Sequence, residues 1–453
     1  MGRDLEVFAH PLAWVRWQRD WSQRDLINRL ARRLGIPPDR KQPSRWEARG
    51  VTPREDVQRA LAAELEIDVA QLKARPWPQW LIPRGDDLAL RAPWTVEGLQ
   101  SVLDHTAEGA PMDRRGFLVL LTDAAAASLV GTWARTPAPA PLPAAGDGAG
   151  GMGADLLGSM EDRLALLRAR DDVVGGGRTW QLVENELRGA RALLRTGEFT
   201  GALRTRLLAL IGEQARVAGW SCVDAGRLAA GEVYLVQALR AAHAAGDAAA
   251  GANVIKSLSL VVLEDGRPWE ALEMVQWARA VTRTAPARVR AMLAVREARI
   301  RATMRDTASH TRIVNEAAAL MTQADREAPE ELPVWARYFD AAEFAAQVAA
   351  GHLAARQLDP AQHHLDHALQ AQPGERRRDA VTYGLWGAEI AARRGDADQA
   401  VDRLGDLLPD VGSSNSGRNR AHVARVQALL KQGGFAALPQ VRGLDEQVRT
   451  LLA

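Results

Sequence analysis

Apolar residues recur at helical spacing along most of the chain, and no segment shows the alternation of apolar and polar residues that is typical of a half-buried strand. Helical spacing covers residues 12–75 and, after a segment rich in Pro, Trp and Gly, returns at Thr95–Thr106. From Ala154 to the end, one helical pattern follows another, rich in Ala, Leu and Arg. The pattern predicts an all-α protein.

The C-terminal part repeats one layout, in which a Gly or Asp turn precedes a helix with apolar, mostly small residues seven positions apart. Alanine at these positions lets two antiparallel helices cross closely without loss of helix propensity. Each pair leaves one apolar face open, so pairs are expected to stack. The turns and the residues that follow them are Gly197–Phe199 with Ala202 and Ala209, Gly266–Pro268 with Ala271 and Ala278, Asp359–Pro360 with Ala361 and Ala368, and Gly395–Asp396 with Ala400 and Leu407.

This layout resembles the tetratricopeptide repeat, a helical hairpin of about 34 residues, over roughly residues 180–430. The resemblance implies an α-solenoid whose groove is lined by the first helix of each hairpin. Several units lack the Trp, Leu, Gly and Tyr set that is usual in the family. A generic helical bundle with Ala-rich crossings is therefore the alternative.

Composition divides the chain into four predicted parts: a helix-turn-helix domain at 1–80, a helical connector at 81–134, a linker at 135–153 and a repeat domain at 154–453. The linker is a Pro/Ala tract followed by a Gly tract, which predicts a stiff half and a flexible half. Within the connector, residues 112–133 begin like a twin-arginine export signal. Because a folded segment precedes them, we expect a buried helix near the domain junction instead.

The N-terminal part carries the sharpest motif. Ser22 is placed to cap a helix whose first turn holds Gln23 and Asp25. Further on, residues 44–50 read Ser-Arg-Trp-Glu-Ala-Arg-Gly. This combination resembles the lambda-repressor-like (Xre-type) helix-turn-helix family.

The resemblance implies a recognition helix that offers its N-terminal residues to base edges in the major groove. Trp46 is expected to pack inward, Glu47 to hold the domain's own turn, and Gly50 to end the helix. An amide at the start of the preceding helix can bond a phosphate while it supports the recognition helix. The predicted DNA-binding residues are Gln23, Arg24, Arg40, Lys41, Gln42, Ser44, Arg45 and Arg49.

The spacing departs from the family, since the segment between Gln23 and Ser44 is about six residues longer than the short turn of the motif requires. Pro43 also stands where a branched apolar residue is usual, and proline is tolerated only in the first turn of a helix. The recognition helix is therefore expected to start near Gln42. Arg40 and Lys41 would then lie on the approach loop and contact phosphates rather than bases.

Charge and cysteine content narrow the class of protein. The 453 residues are 47% hydrophobic and 25% charged, which is typical of a soluble globular protein, and the net charge is +2. Residues 1–80 hold 15 Lys/Arg against 11 Asp/Glu, a mild basic bias that permits nucleic-acid binding. A single cysteine, Cys222, excludes an internal disulfide and favours the cytoplasm. No apolar run has the length of about 20 residues that spans a bilayer, so no membrane association is expected.

Other residues that could form a catalytic or metal site are interpreted as structural. His363, His364 and His367 could share a helix face as metal ligands do, but no third ligand is evident, so we interpret them as solvated surface. Residues 175–178, Gly-Gly-Gly-Arg, lack the Lys-Ser/Thr of a phosphate loop and predict an inter-helix turn. Cys222 is interpreted as a packing residue. We therefore expect no enzymatic activity, no metal and no cofactor.

The combination of modules resembles a family of actinobacterial regulators associated with development and secondary metabolism and, more distantly, peptide-sensing quorum regulators. It implies a cytoplasmic transcription regulator that binds double-stranded DNA, as a homodimer, and senses a signal peptide, a small molecule or a protein partner. The alternative is an adaptor or scaffold with weak or no specific DNA binding. The candidate ligand residues, all polar, are Asn185, Arg188, Asn253, Lys256, Arg299 and Gln347.

Overall fold

The computed structural model describes residues 12, 16, 19, 21–39, 41–48, 51–65, 67, 69, 72, 77, 79–81, 89–90, 92, 94–107, 125–137, 150–174, 176–196, 199, 201–328, 332–372, 374 and 376–452. These residues form helices and connecting turns, and none of them lies in a strand. The predicted all-α class is confirmed. Among the described helices, none combines the length and apolarity needed to cross a membrane.

Three short helices form an N-terminal unit: α1 (Gln23–Leu34), α2 (Gln42–Ala48) and α3 (Glu55–Glu64). Ser22 caps α1 as predicted, and its hydroxyl accepts from the backbone N–H of Asp25 while the Asp25 carboxylate accepts in return from the backbone N–H of Ser22. Gly35 ends α1 at φ 66°, in the left-handed region that glycine adopts without strain. Around these helices lies a small core formed by Leu12, Leu26, Ile27, Leu30, Trp46, Val57, Ala60, Leu61, Ala62, Leu65, Trp80 and Leu81.

Two helices follow and pack on the repeat array. The predicted helix at Thr95–Thr106 is confirmed as α4 (Val96–Ala107), and the described end of the twin-arginine segment forms α5 (Ala125–Arg135) with a buried face. The backbone N–H of Ala127 donates to Glu270 at 3.1 Å, which ties α5 to the array. Residues 112–124 of that segment lie outside the described residues.

Within the described residues, the array contains fourteen α-helices and two short 3-10 helices, Val334–Ala336 and Phe435–Ala437. The α-helices are α6 (Gly150–Val174), α7 (Gly176–Thr196), α8 (Gly201–Asp224), α9 (Leu228–Ala244), α10 (Ala248–Glu264), α11 (Pro268–Val281), α12 (Ala287–Thr303), α13 (Thr307–Ala324), α14 (Ala341–Ala354), α15 (Leu358–Ala371), α16 (Arg377–Arg394), α17 (Ala397–Ser413), α18 (Gly417–Gln432) and α19 (Pro439–Leu452). Since α6 starts at Gly150, residues 150–153 of the predicted linker are helical, and residues 138–149 lie outside the described residues. The inter-helix turn predicted at residues 175–178 is wrong for residues 176–178, which are helical and form the start of α7, while residue 175 lies outside the described residues.

Successive helices pair as hairpins, α8 with α9, α10 with α11, α12 with α13, α14 with α15 and α16 with α17. The solenoid of tetratricopeptide-like hairpins is thus confirmed. The predicted small residues lie at the crossings and are fully buried: Ala271, Ala278, Ala361, Ala368 and Ala400. They allow the second helix of each pair to approach the first.

The hairpin register that we predicted from Gly197–Phe199 is wrong. Ala202 and Ala209 are exposed, because α8 is the first helix of its pair and not the second. The close crossing with α9 is made by glycines instead. A Cβ on Gly219 would lie 2.8 Å from Leu235 Cγ, and a Cβ on Gly231 would lie 2.6 Å from Val223 Cγ2.

The hairpins curve until the beginning and the end of the array meet, a feature that the sequence analysis left open. Arg378 on α16 forms an ion pair with Asp171 on α6. The Ser416 hydroxyl donates to Asp224 at 2.9 Å, across 192 positions of sequence. A Cβ on Gly177 would lie 2.0 Å from Asn415 Cβ, so only glycine fits this close approach. The closure forms a cavity between the first helices of the hairpins.

Candidate DNA-binding surface and ligand cavity

The short helix α2 has one buried face and one exposed face. It starts at Gln42, as predicted, with Pro43 in its first turn. Trp46 is 4% exposed and belongs to the core of the N-terminal unit, whereas Ser44 and Arg45 are exposed. The inward orientation of Trp46 is therefore confirmed, and two of the side chains expected to contact bases, Ser44 and Arg45, face outward.

Glu47 fixes the orientation of α2 through two partners. Arg16 donates to both carboxylate oxygens, at 2.6 and 2.8 Å, and the Gln23 amide donates to Oε2 at 2.8 Å. The supporting role predicted for Gln23 is confirmed. Because its NH₂ group is engaged with Glu47, Gln23 is less available to a phosphate than the sequence analysis assumed.

The remaining predicted DNA-binding residues differ in position. Arg24 and Lys41 are exposed, and Gln42 is half-buried at the start of α2. Arg40 and Arg49 lie outside the described residues, as does Gly50. The described residues thus place Arg24, Lys41, Ser44 and Arg45 on the surface of the N-terminal unit, Arg24 on α1 and the other three at the start of α2 or on it.

The second site is the cavity of about 220 Å³ at the centre of the array. Its walls come from the first helices of the hairpins, α8, α10, α12, α14 and α16, together with α6, α18, residues 334–338 before α14, and Arg376 just before α16. Among the lining residues, eight are basic and five are acidic: Arg168, Arg216, Lys256, Arg296, Arg299, Arg376, Arg378 and Arg418 against Asp171, Asp172, Asp224, Glu343 and Asp379. Basic residues therefore outnumber acidic residues among those that line the cavity.

The prediction that first helices line the groove is confirmed, but only three of the six residues selected from the sequence lie in its wall. Lys256, Arg299 and Gln347 line the cavity. Asn185 and Arg188 are exposed on α7, which does not contribute to the wall, and Asn253 is buried on α10 away from the wall. One signal in the sequence was missed. Charged or aromatic residues recur four positions apart on otherwise buried helices, as Arg216, Trp220 and Asp224 do on α8.

Acidic groups in and around the cavity are largely engaged by partners. Arg216 donates to Glu213 at 2.6 and 2.8 Å, and Arg168 donates to the same carboxylate at 2.5 Å. Burial alone would raise the pKa of Glu213, but the two guanidinium groups outweigh it and hold the pKa at about 2. Glu213 is thus ionised at neutral pH and neutralises part of the wall.

Another acidic group, Glu343, lies among polar neighbours. It accepts from the Tyr383 hydroxyl and, at 2.9 Å, from the Gln347 amide. Burial, reinforced by Asp379, raises the pKa of Glu343 to about 7. Burial also lowers the pKa of Lys256 to about 7, with Arg216 and Arg296 acting in the same direction, and Lys256 donates to the Tyr338 hydroxyl.

The histidines singled out in the sequence lie outside this cavity. His363 and His367 are exposed, and His364 stacks on His352 with ring centroids 5.4 Å apart. Burial lowers the pKa of His364 to about 4, so it is neutral near pH 7. Among the described residues, no group of three His, Cys, Asp or Glu side chains is arranged to hold a metal ion.

The comparisons with known proteins add little to these observations. No family model matches the chain, and no curated protein matches it. Among solved structures, a monomeric mutant of IFIT1 with Gppp-AAAA aligns with 98% of this chain and 90% of that chain, at 11% sequence identity and a TM-score of 0.33. At this score, the likeness carries no inference about a ligand.

Proposed function

We propose that the protein is a DNA-binding transcription regulator in which the N-terminal unit contacts double-stranded DNA and the cavity of the array binds a ligand that changes DNA affinity. The proposal depends on one observation: α2 has one face directed inward and one directed outward. Trp46 and Glu47 are held inward, and this leaves Ser44 and Arg45 outward on a helix of fixed orientation. A fixed helix with exposed Arg and Ser suits insertion into a major groove.

The proposed assembly is a homodimer in the cytoplasm. Two copies of α2 would then contact half-sites about 34 Å apart, or a multiple of that spacing. A ligand in the cavity would act by binding one arrangement of the two copies more tightly than another. The cavity residues Lys256, Arg299 and Gln347 are the proposed contacts for that ligand.

The test measures DNA binding by the full chain to duplexes selected from a random-sequence library. Wild type is expected to select a sequence, and Arg45→Ala to weaken binding to it by about 1–3 kcal/mol if Arg45 contacts a base. The matched control is Arg312→Ala, which removes the same charge from an exposed position on α13. It is expected to bind DNA as wild type does.

Two outcomes would contradict the DNA-binding proposal. If no sequence is selected, or if Arg45→Ala and Arg312→Ala bind alike, the DNA-binding proposal is wrong. A stable complex of the array with a protein partner, together with absence of site-specific DNA binding, would support the adaptor hypothesis instead.

A further inference from the structure

In one cation of the cavity wall, two guanidinium nitrogens lack a hydrogen-bond partner among the described residues. Arg296 lies on α12, lines the cavity and is 6% exposed. Its Nε and Nη1 atoms are fully buried without a hydrogen-bond partner in the part of the chain that the structure describes. A buried guanidinium group that lacks an acceptor costs several kcal/mol, so such a group is rare unless something binds to it.

The surroundings of Arg296 increase the need for an anion. Arg299 and Arg418 both face the Glu264 carboxylate, at 3.9 and 3.0 Å. Burial lowers the pKa of Arg296 to about 9, and the Glu264 carboxylate is the acidic group that most strongly counteracts this shift. Three guanidinium groups therefore depend on one carboxylate.

The other acidic groups of the wall are engaged elsewhere. Glu213 is shared by Arg168 and Arg216, and Glu343 accepts from Tyr383 and Gln347. Asp171 is paired with Arg378. Asp172 and Asp379 also lie near Arg378, at 3.6 and 3.2 Å, and Asp224 accepts from Ser416, so the described acidic groups of the wall have partners other than Arg296.

The walls also include flat apolar surfaces. Trp220, Trp335, Tyr338, Tyr383 and Trp386 line the same cavity as Arg296. Two of these rings already face cations, since Arg418 lies over Trp220 at 5.1 Å and Lys256 lies over Tyr338 at 5.0 Å, so aromatic and cationic groups are interleaved in the wall. An organic anion with an unsaturated ring would contact both kinds of surface.

We propose that the cavity binds a small organic anion, with its carboxylate or phosphate group on Arg296 and Arg299 and its ring against the aromatic wall. Arg296 supplies a planar donor fork of the kind that binds such groups in bidentate geometry. This inference rests on the proposed function, because it names the class of ligand for the regulatory cavity. Its test involves no DNA.

The test titrates the full chain, purified without phosphate or carboxylate buffers, with benzoate, phenyl phosphate and the neutral analogue benzamide at constant ionic strength. Saturable binding of benzoate or phenyl phosphate is expected by calorimetry, and none of benzamide. The tighter of the two acids tells whether the site prefers a carboxylate or a phosphate group. Arg296→Met is expected to weaken binding about tenfold or more, since a hydrogen bond to a charged group is lost.

Arg296→Met has a second expected effect that a merely structural residue would not show. Removal of an unpaired buried charge is expected to raise the unfolding temperature of the ligand-free protein. Arg296→Lys keeps the charge but loses the planar guanidinium group, so it is expected to bind the anions more weakly than wild type. It also serves as a second variant in case Arg296→Met does not fold. The control is Arg301→Met, on the same helix, whose guanidinium contacts Glu297 and Asp306 outside the cavity wall.

The proposal is overturned if wild type binds neither acid saturably, or if Arg296→Met and Arg301→Met bind them equally well. Anion binding without selection of any DNA sequence would refute only the proposed regulator. Sequence-specific DNA binding without anion binding would refute only the ligand inference.

Discussion

The N-terminal unit and the repeat array handle their positive charge in opposite ways. In the N-terminal unit, Arg24, Lys41 and Arg45 are exposed around a small apolar core. In the array, basic side chains such as Arg296 line a concave, partly open cavity, where acidic groups pair with most of them. Exposed charge suits an extended polyanion, whereas charge in a cavity suits a ligand of limited size.

The two regions also differ in the interactions that stabilise them. The unit depends on one small core in which a few large side chains dominate. The array depends on many hairpin crossings and, in its cavity, on buried ion pairs. Loss of a large side chain is therefore expected to matter most in the unit, and loss of a charge to matter most in the array.

The largest expected effect is that of Trp46→Ala. Trp46 is 4% exposed in the small core, so the truncation is expected to destabilise the N-terminal unit by about 3–5 kcal/mol. Hydrogen exchange followed by mass spectrometry is expected to show lost protection in α1–α3 only. The control is Trp269→Ala on α11, which is 66% exposed and is expected to change stability by less than about 0.5 kcal/mol. Equal loss of protection in the array would contradict the separation of the two regions.

The next effect concerns the buried charges of the array. Glu213→Gln is expected to destabilise the protein by about 3 kcal/mol at pH 7, because the folded-state pKa of about 2 lies below the ordinary 4.5. A lowered pKa stabilises the fold above pH 4.5, and this contribution is lost as pH falls towards 2. The difference in unfolding free energy between wild type and variant is therefore expected to shrink over that range, measured by denaturant titration.

The control for Glu213→Gln is a substitution on the surface of the N-terminal unit. Glu55→Gln removes the partner of Arg59, and both side chains are more than half exposed, at 77% and 58%. The expected change is below about 1 kcal/mol at any pH. If the two substitutions cost the same at pH 7, the contrast between buried and exposed charge does not hold.

The smallest effect tests the closure of the array. Gly177→Ala would place a Cβ 2.0 Å from Asn415 Cβ and is expected to destabilise the array by about 1–3 kcal/mol. Small-angle scattering is expected to show a larger radius of gyration as the two ends separate. In the control, Gly189→Ala on the same helix, the nearest atom is Met160 Cε at 4.0 Å, so the change is expected to stabilise α7 by up to about 1 kcal/mol. An unchanged radius for Gly177→Ala would argue against a tight closure.

Prediction from the sequence succeeded where the evidence is local. The Ser22 cap, the start of α2 at Gln42 and the inward Trp46 all follow from residues a few positions apart. It failed for the register of the hairpin after Gly197, because the turn alone does not tell whether the next helix is the first or the second of a pair. It also selected Asn185 and Arg188, which are polar but lie on the wrong helix.

Periodicity, caps and turns determined the helices of this protein, since each depends on interactions within one or two helical turns. The closure that brings Asp171 to Arg378 depends on small rotations accumulated over many hairpins, and no local pattern encodes their sum. Only the tertiary structure therefore decided that the array forms a cavity, and that Arg296 lies in its wall with two guanidinium nitrogens that lack a hydrogen-bond partner among the described residues.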